Sequence, residues 1–112
     1  TIKSYEDIDS DYIFDCRGFP KDYTNYEILT NPLNSVLLSR IEEVRSSTHW
    51  TTATATPDGW CFQIPLVDRT SIGYLYNNTI TPENKALDNF KKIFNINNVF
   101  EKFSFKNYVQ AL

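Results

Sequence analysis

The residues with the most chemical character in this chain sit together, in Gly59-Trp60-Cys61-Phe62-Gln63-Ile64-Pro65-Leu66. On a strand, side chains at i and i+2 leave the same face, so Trp60, Phe62 and Ile64 share one side. Two large flat rings beside a branched aliphatic make a rigid apolar wall. Such a wall can line a planar cofactor or bound a tunnel. It can equally be a core-facing pair in an ordinary sheet, and physics alone favours that use because aromatic strand pairs are common.

Other reactive groupings are sparse. The glycines, Gly18, Gly59 and Gly73, lie too far apart for G-x-G-x-x-G or for a P-loop. G-x-S-x-G is missing, so there is no nucleophile elbow. His49 is the sole imidazole and would be the only base for a Ser/His/Asp triad. It lies in a Ser/Thr-rich stretch and reads as an exposed or satisfied loop histidine. Asp7, Asp9 and Asp11 lack the Gly and the twelfth-position Glu of an EF-hand, and read as a solvated acidic loop. The two cysteines, Cys16 and Cys61, both fall in apolar, strand-like stretches. Two reduced core thiols in a cytosolic protein is the natural reading, because a disulfide framework or a structural zinc site needs more ligands. Asn77-Asn78-Thr79 is a formal glycosylation sequon with no secretory signal before it.

The elements that must hold the aromatic wall come next. The 112 residues, 41% hydrophobic and 15% aromatic, are enough for one small domain or a piece of a larger one. A disordered chain would be poorer in aromatics, and no apolar run is long enough for a membrane-spanning helix. The net charge of −3, with no basic cluster, argues against nucleic acid and acidic membranes. Tyr12-Ile13-Phe14 reads as a short buried strand, following a turn or weak strand in the first ten residues. Residues 20–34 read as a loop with one helical turn at Tyr26 to Leu29. Val36 to Ile41 reads as a strand and Glu42 to Thr48 as a loop. Thr51 to Thr56, Trp60 to Leu66 and Ile72 to Tyr76 form an antiparallel meander, with turns at Pro57-Asp58-Gly59 and at Asp68 to Ser71. Pro65 belongs at the end of its strand or at a bulge. Thr81-Pro82-Glu83 is a helix start, with Thr81 as cap. Ala86, Leu87, Phe90, Ile93 and Phe94 then share one face of a helix over residues 82–94. Phe103 to Val109 reads as a last strand. The class is α+β: an antiparallel or mixed sheet with one main helix.

The wall motif resembles the W-x-W-x-I-P signature of flavin-dependent halogenases of the tryptophan halogenase type. Asp15-Cys16-Arg17-Gly18-Phe19 is similar to that family's D-C-S-G-F segment. Thr51 to Thr56 with Asp58-Gly59-Trp60 resembles its Thr/Ala strand and turn, and Pro65-Leu66, Arg69, Gly73-Tyr74 and Tyr76 fit its P-L-x-x-R-x-x-x-G-Y-x-Y continuation. The likeness is dense over residues 51–86 and thin over residues 20–48. Phe62 stands where the family has a second tryptophan, and Arg17 where it has serine.

The resemblance implies a piece of a flavin monooxygenase-like, FAD/NAD(P)-binding fold. Residues 1–20 would be the end of the FAD-binding part and residues 21–112 the substrate-side sheet and helix, read as one segment. In such enzymes reduced FAD, supplied by a flavin reductase, works with oxygen and halide to halogenate an aromatic substrate through an essential lysine. The signature wall keeps substrate from the flavin. Trp60, Phe62, Ile64, Pro65, Asp15 and Gly18 are then the cofactor-side residues, and none of them transfers protons. The glycine fingerprint and the essential lysine lie upstream of this segment in the family, and the catalytic glutamate and halide site lie downstream. Lys21, Lys85 and Lys91 do not match the lysine motif. The chain, which starts with Thr and contains no Met, therefore reads as the cytoplasmic middle of a halogenase. Alone it is expected to be inactive, to bind FAD weakly or not at all, and to be prone to self-association. A non-catalytic remnant domain and a fragment of a related FAD-dependent monooxygenase are the alternatives.

Overall fold

A computed structural model describes residues 4–42 and 49–110. The strands are β1 Tyr26–Leu29, β2 Ser35–Ile41, β3 Thr52–Thr56, β4 Gly59–Pro65, β5 Thr70–Tyr76, β6 Glu101–Ser104 and β7 Asn107–Gln110, with one helix, α1 Glu83–Phe94, between β5 and β6. A five-stranded sheet has the order β3-β4-β5-β2-β6, and β1 and β7 form a separate two-stranded sheet. All of these pairings are antiparallel. The expected meander is β3-β4-β5, and β2 then pairs along the whole length of β5. No described helix is long and apolar enough to cross a membrane.

The core lies between one face of the five-stranded sheet and α1. Strand alternation sends Leu37 and Ile41 of β2, Cys61 of β4, and Ile72, Tyr74 and Tyr76 of β5 to this side, where they meet Ala86, Phe90 and Phe94 of α1. The i, i+4, i+8 spacing of the helical residues puts them on one stripe. Ile93 does not join them. It is 46% exposed, beside a hollow of about 290 Å³ near the β3 edge that Thr54, Gln63 and Phe94 also line. Asn95 closes the helix in a left-handed conformation (φ 51°), and its backbone N–H donates to the Lys91 carbonyl.

Several local expectations are corrected by tertiary pairing. Tyr12 to Phe14 is irregular rather than a buried strand, with Tyr12 82% and Phe14 89% exposed. Cys16, expected in the core, is exposed for the same reason: its segment joins neither sheet, while Cys61 is buried. Tyr26–Leu29 is a strand and not a helical turn, because Asn107–Gln110 returns to pair with it. The expected last strand is divided in two. β6 pairs with β2 and β7 with β1, and Phe105 between them donates its N–H to the Asn34 carbonyl at 2.8 Å. Tyr5–Asp7 forms a short 3-10 turn capped reciprocally by Ser4 and Asp7. Thr81 does not cap α1. Pro82 holds the cap position without a side-chain bond, and the Thr81 hydroxyl donates elsewhere, to Asp58. Residues 43–48, expected as a loop, lie outside the described residues.

Candidate functional site

β4 is an inner strand, and its alternation decides the site. Cys61, opposite Tyr74, is 1% exposed on the α1 side, so its neighbours Trp60 and Phe62, with Ile64, fall on the other, open face. Trp60 and Ile64 are each 37% exposed and Phe62 is half-buried. The Trp60 and Phe62 ring centroids are 6.1 Å apart, with the planes tilted by 53°. Pro65 ends the strand and pairs with the buried Thr70. By alternation it belongs to the α1 side, so three of the four predicted β4 residues come together.

The seat of Phe62 is a missing side chain. Phe62 pairs with Gly73, and a Cβ at Gly73 would lie 2.3 Å from ring atoms Cε1 and Cζ and 3.1 Å from Leu38 Cδ2. The ring therefore covers the glycine directly. Gly73→Ala is expected to expel the ring and to cost about 1–3 kcal/mol by overpacking. Phe62→Ala in the same chain should recover most of that loss in urea unfolding. Failure of the double variant to recover would show that the ring is not the obstacle. Gly59, at the start of β4, is fixed by backbone: a Cβ there would lie 2.3 Å from the Leu75 carbonyl oxygen.

Asp15 and Gly18 stand apart from this wall. The Asp15 carboxylate accepts from Arg17 through Nη2 at 2.7 Å, Nε at 2.9 Å and the backbone N–H at 3.0 Å, and also from the Tyr5 hydroxyl. The Arg17 guanidinium, then the Tyr5 hydroxyl, hold the Asp15 carboxyl well below the usual carboxylate range. The Arg17 charge is thereby matched locally. Asp15 and Arg17 line two adjoining clefts of about 440 and 600 Å³; Cys16 and Phe14 join the first, and Gly18 and Tyr108 the second. Gly18 takes φ 87°, a conformation natural to glycine. The chain beyond it presents Phe19, which stacks on Phe105 at 5.8 Å with a 9° interplanar angle and also meets Phe103 and Tyr108. The loop is thus seated over the β6 end of the sheet. Two strands, β5 and β2, separate β6 from β4, which is about 14 Å across the sheet at ordinary strand spacing. Trp60 lines neither of the two clefts that Asp15 and Gly18 border.

One cluster escaped the sequence reading. Asp58 looked like a turn residue, yet its carboxylate accepts from Tyr74 Oη at 2.6 Å, Asn89 Nδ2 at 2.7 Å and Thr81 Oγ1 at 3.2 Å. Burial pushes its pKa up, but the three hydrogen bonds outweigh that and leave it lowered. Tyr74 is fully buried, and burial with the Asp58 contact pushes its pKa up to about 12. The cluster fastens the β3–β4 turn to β5 and to α1, and so fixes where β4 begins. Only the Pro-Asp-Gly turn was visible as a signal, because nothing local places residues 74, 81 and 89 around it.

These residues form a small antiparallel sheet, backed by one helix and carrying an aromatic pair on its open face. Residues 1–107 match the family model described as tryptophan halogenase, and the chain belongs to that family. Solved structures agree in fold. A flavin-dependent halogenase from Xanthomonas campestris superposes with TM-score 0.63 at 22% identity, over 76% of this chain and 18% of that one. A tryptophan halogenase from Shewanella frigidimarina gives 0.61 at 17% identity, over 70% and 17%. A flavin-dependent halogenase from Brevundimonas sp. BAL3 gives 0.60 at 18% identity, over 76% and 18%. The matched region is thus under a fifth of the length of these proteins. A comparison with curated protein sequences returns no match.

Proposed function

We propose that this chain is a middle segment of a flavin-dependent halogenase and that β4 is its wall between flavin and substrate. The observation that carries this reading is the position of Trp60, Phe62 and Ile64 on the open sheet face, away from the core. A half-exposed, flat, apolar surface fits one side of a planar ring system. When bound, reduced FAD supplies the oxygen activation on which halogenation depends. The chain's own residues do simpler work. Trp60, Phe62 and Ile64 pack against the ring and exclude substrate from it. Pro65 ends the strand. Asp15 and Gly18 shape the hand-over loop, so residues 1–20 finish the FAD-binding part and residues 21–112 form the substrate-side sheet and helix. Phe62 keeps the aromatic face without the indole N–H. The chain has no phosphate-gripping glycine loop, so tight FAD binding and halogenation of an aromatic substrate belong to the parent enzyme, supplied by a flavin reductase in the cytoplasm.

With flavin reductase, halide and oxygen present, the parent is expected to yield halogenated aromatic product and the 112-residue chain none. Product from the chain alone, or none from the parent across a panel of indoles and phenols, would overturn the proposal. The wall itself has a separate readout. In Trp50→Phe the only tryptophan left is Trp60. Its emission should fall saturably as FAD is raised to about millimolar, the range of weak, incompletely held ligands. Quenching that is linear and equal to that of free indole would place Trp60 away from the flavin.

A further inference from the structure

β3 lies at the end of the strand order β3-β4-β5-β2-β6. It pairs with β4 through an unbroken register, Thr52↔Gln63 to Thr56↔Gly59, with no bulge. Its other edge has no strand partner among the described residues. Natural edge strands are normally guarded by a charge, a proline, a bulge or extreme shortness. Thr52–Thr56 contains no charge and no proline.

The sequence of this edge is also self-complementary. Thr52-Ala53-Thr54-Ala55-Thr56 reads the same in both directions. We propose that the outer edge of β3 is an interface between two copies of this chain, joined antiparallel about a two-fold axis at Thr54. Thr52 then faces the partner's Thr56, Ala53 faces the partner's Ala55, and Thr54 faces its own counterpart. A two-fold interface requires one patch to complement itself, and a palindromic strand does so residue by residue. Threonine opposite threonine is a favourable cross-strand pair, and no like charges meet along the seam.

Both sides of the sheet favour the same join. Ala53 pairs with Phe62 and Ala55 with Trp60 across β3–β4, so the two alanines share the open face with the rings. Joining two β3 edges sets two aromatic walls on either side of a narrow seam of small residues, forming one continuous apolar surface. On the opposite side, Thr54 lines the hollow of about 290 Å³ beside the 46% exposed Ile93. A second copy brings protein against that hollow. The proposal rests on the edge of β3 and not on halogenase chemistry, and it requires the same edge to be open in the parent.

The test is cross-linking by register, in the full chain with Cys16→Ser to remove the exposed thiol and Cys61→Ala to remove the thiol directly opposite Thr54 on β4. Directly opposed residues lie about 4.5–5.5 Å apart at Cα, which suits a disulfide. With oxidised glutathione, Thr54→Cys should give a disulfide-linked dimer at several-fold higher yield than Thr52→Cys, whose counterpart lies four residues out of register. Thr54→Lys, which sets two cations against each other at the axis, should shift the chain from dimer to monomer in sedimentation while its far-UV circular dichroism melt is retained. If Thr54→Lys does not fold, the cysteine pair alone decides. A chain that stays monomeric at all concentrations would overturn the interface, as would equal cross-linking at both positions. So would absence of the Thr54→Cys cross-link in the parent, where another strand of the same polypeptide would then occupy the edge.

Discussion

Phe90→Ala should remove about 3–5 kcal/mol of stability, the usual cost of emptying a buried aromatic site. That is a large part of the roughly 5–15 kcal/mol that holds a domain together. Phe90 is 0% exposed, with its ring centroid 5.6 Å from Tyr74 and 5.4 Å from Phe94. It is the central residue of the Ala86, Phe90, Phe94 stripe, through which the only α-helix among the described residues covers the sheet. Ala86 is too small to fill the hole, and the sheet beneath cannot rise, because β5 is paired on both sides. Urea unfolding with a retained slope is the measurement. Ile93→Ala, on the same helix but 46% exposed, should change stability by less than about 1 kcal/mol. Similar losses for the two variants would mean that the helix does not pack on the sheet through Phe90.

Asp58→Ala should cost about 2–4 kcal/mol, because it strands buried donors and removes a charged acceptor at once. Tyr74 Oη loses its 2.6 Å partner inside the core, and Asn89 and Thr81 lose theirs. Tyr74→Phe in the same chain should return part of the loss by removing the stranded hydroxyl. The same cluster sets a pH dependence. The folded pKa of Asp58 is lowered, its burial being outweighed by its hydrogen bonds. The folded state therefore binds fewer protons than the unfolded one, and stability rises with pH across that range. The stabilisation is complete above the unfolded pKa of about 4 and is lost as pH falls through the lower folded value. Asp15 and Asp22 have lowered values too, through Arg17 and Thr24 respectively, but on exposed loops. Asp58→Ala should therefore flatten much of the acid limb of stability below pH about 4, leaving the part due to those two. An unchanged acid limb would show that Asp58 gains nothing from its three donors.

The parts of the fold that the sequence determined are those built on local periodicity and turn chemistry. Alternation with Pro57-Asp58-Gly59 made β3 and β4 a hairpin, and the Ala86, Phe90, Phe94 spacing made α1 a one-faced helix. The likeness of residues 51–86 to a known family was also carried by local order of residues, and the family match extends over residues 1–107. In the candidate site, local alternation was enough to put Trp60, Phe62 and Ile64 on one face.

What only the tertiary structure decided concerns partners far apart in the chain. Tyr26–Leu29 is a strand because Asn107–Gln110 pairs with it, and the Tyr12 to Phe14 run stays exposed because no strand does. Whether the aromatic face was core or surface depended on which side α1 packed, and no local pattern holds that information. The seat of Phe62 over Gly73 depends on strand register, and the donors around Asp58 come from β5, from the residues before α1 and from α1 itself. Propensity and periodicity act over a few residues, whereas burial and hydrogen-bond satisfaction are settled by whichever distant segments arrive, and that is why the wall was legible in the sequence and its setting was not.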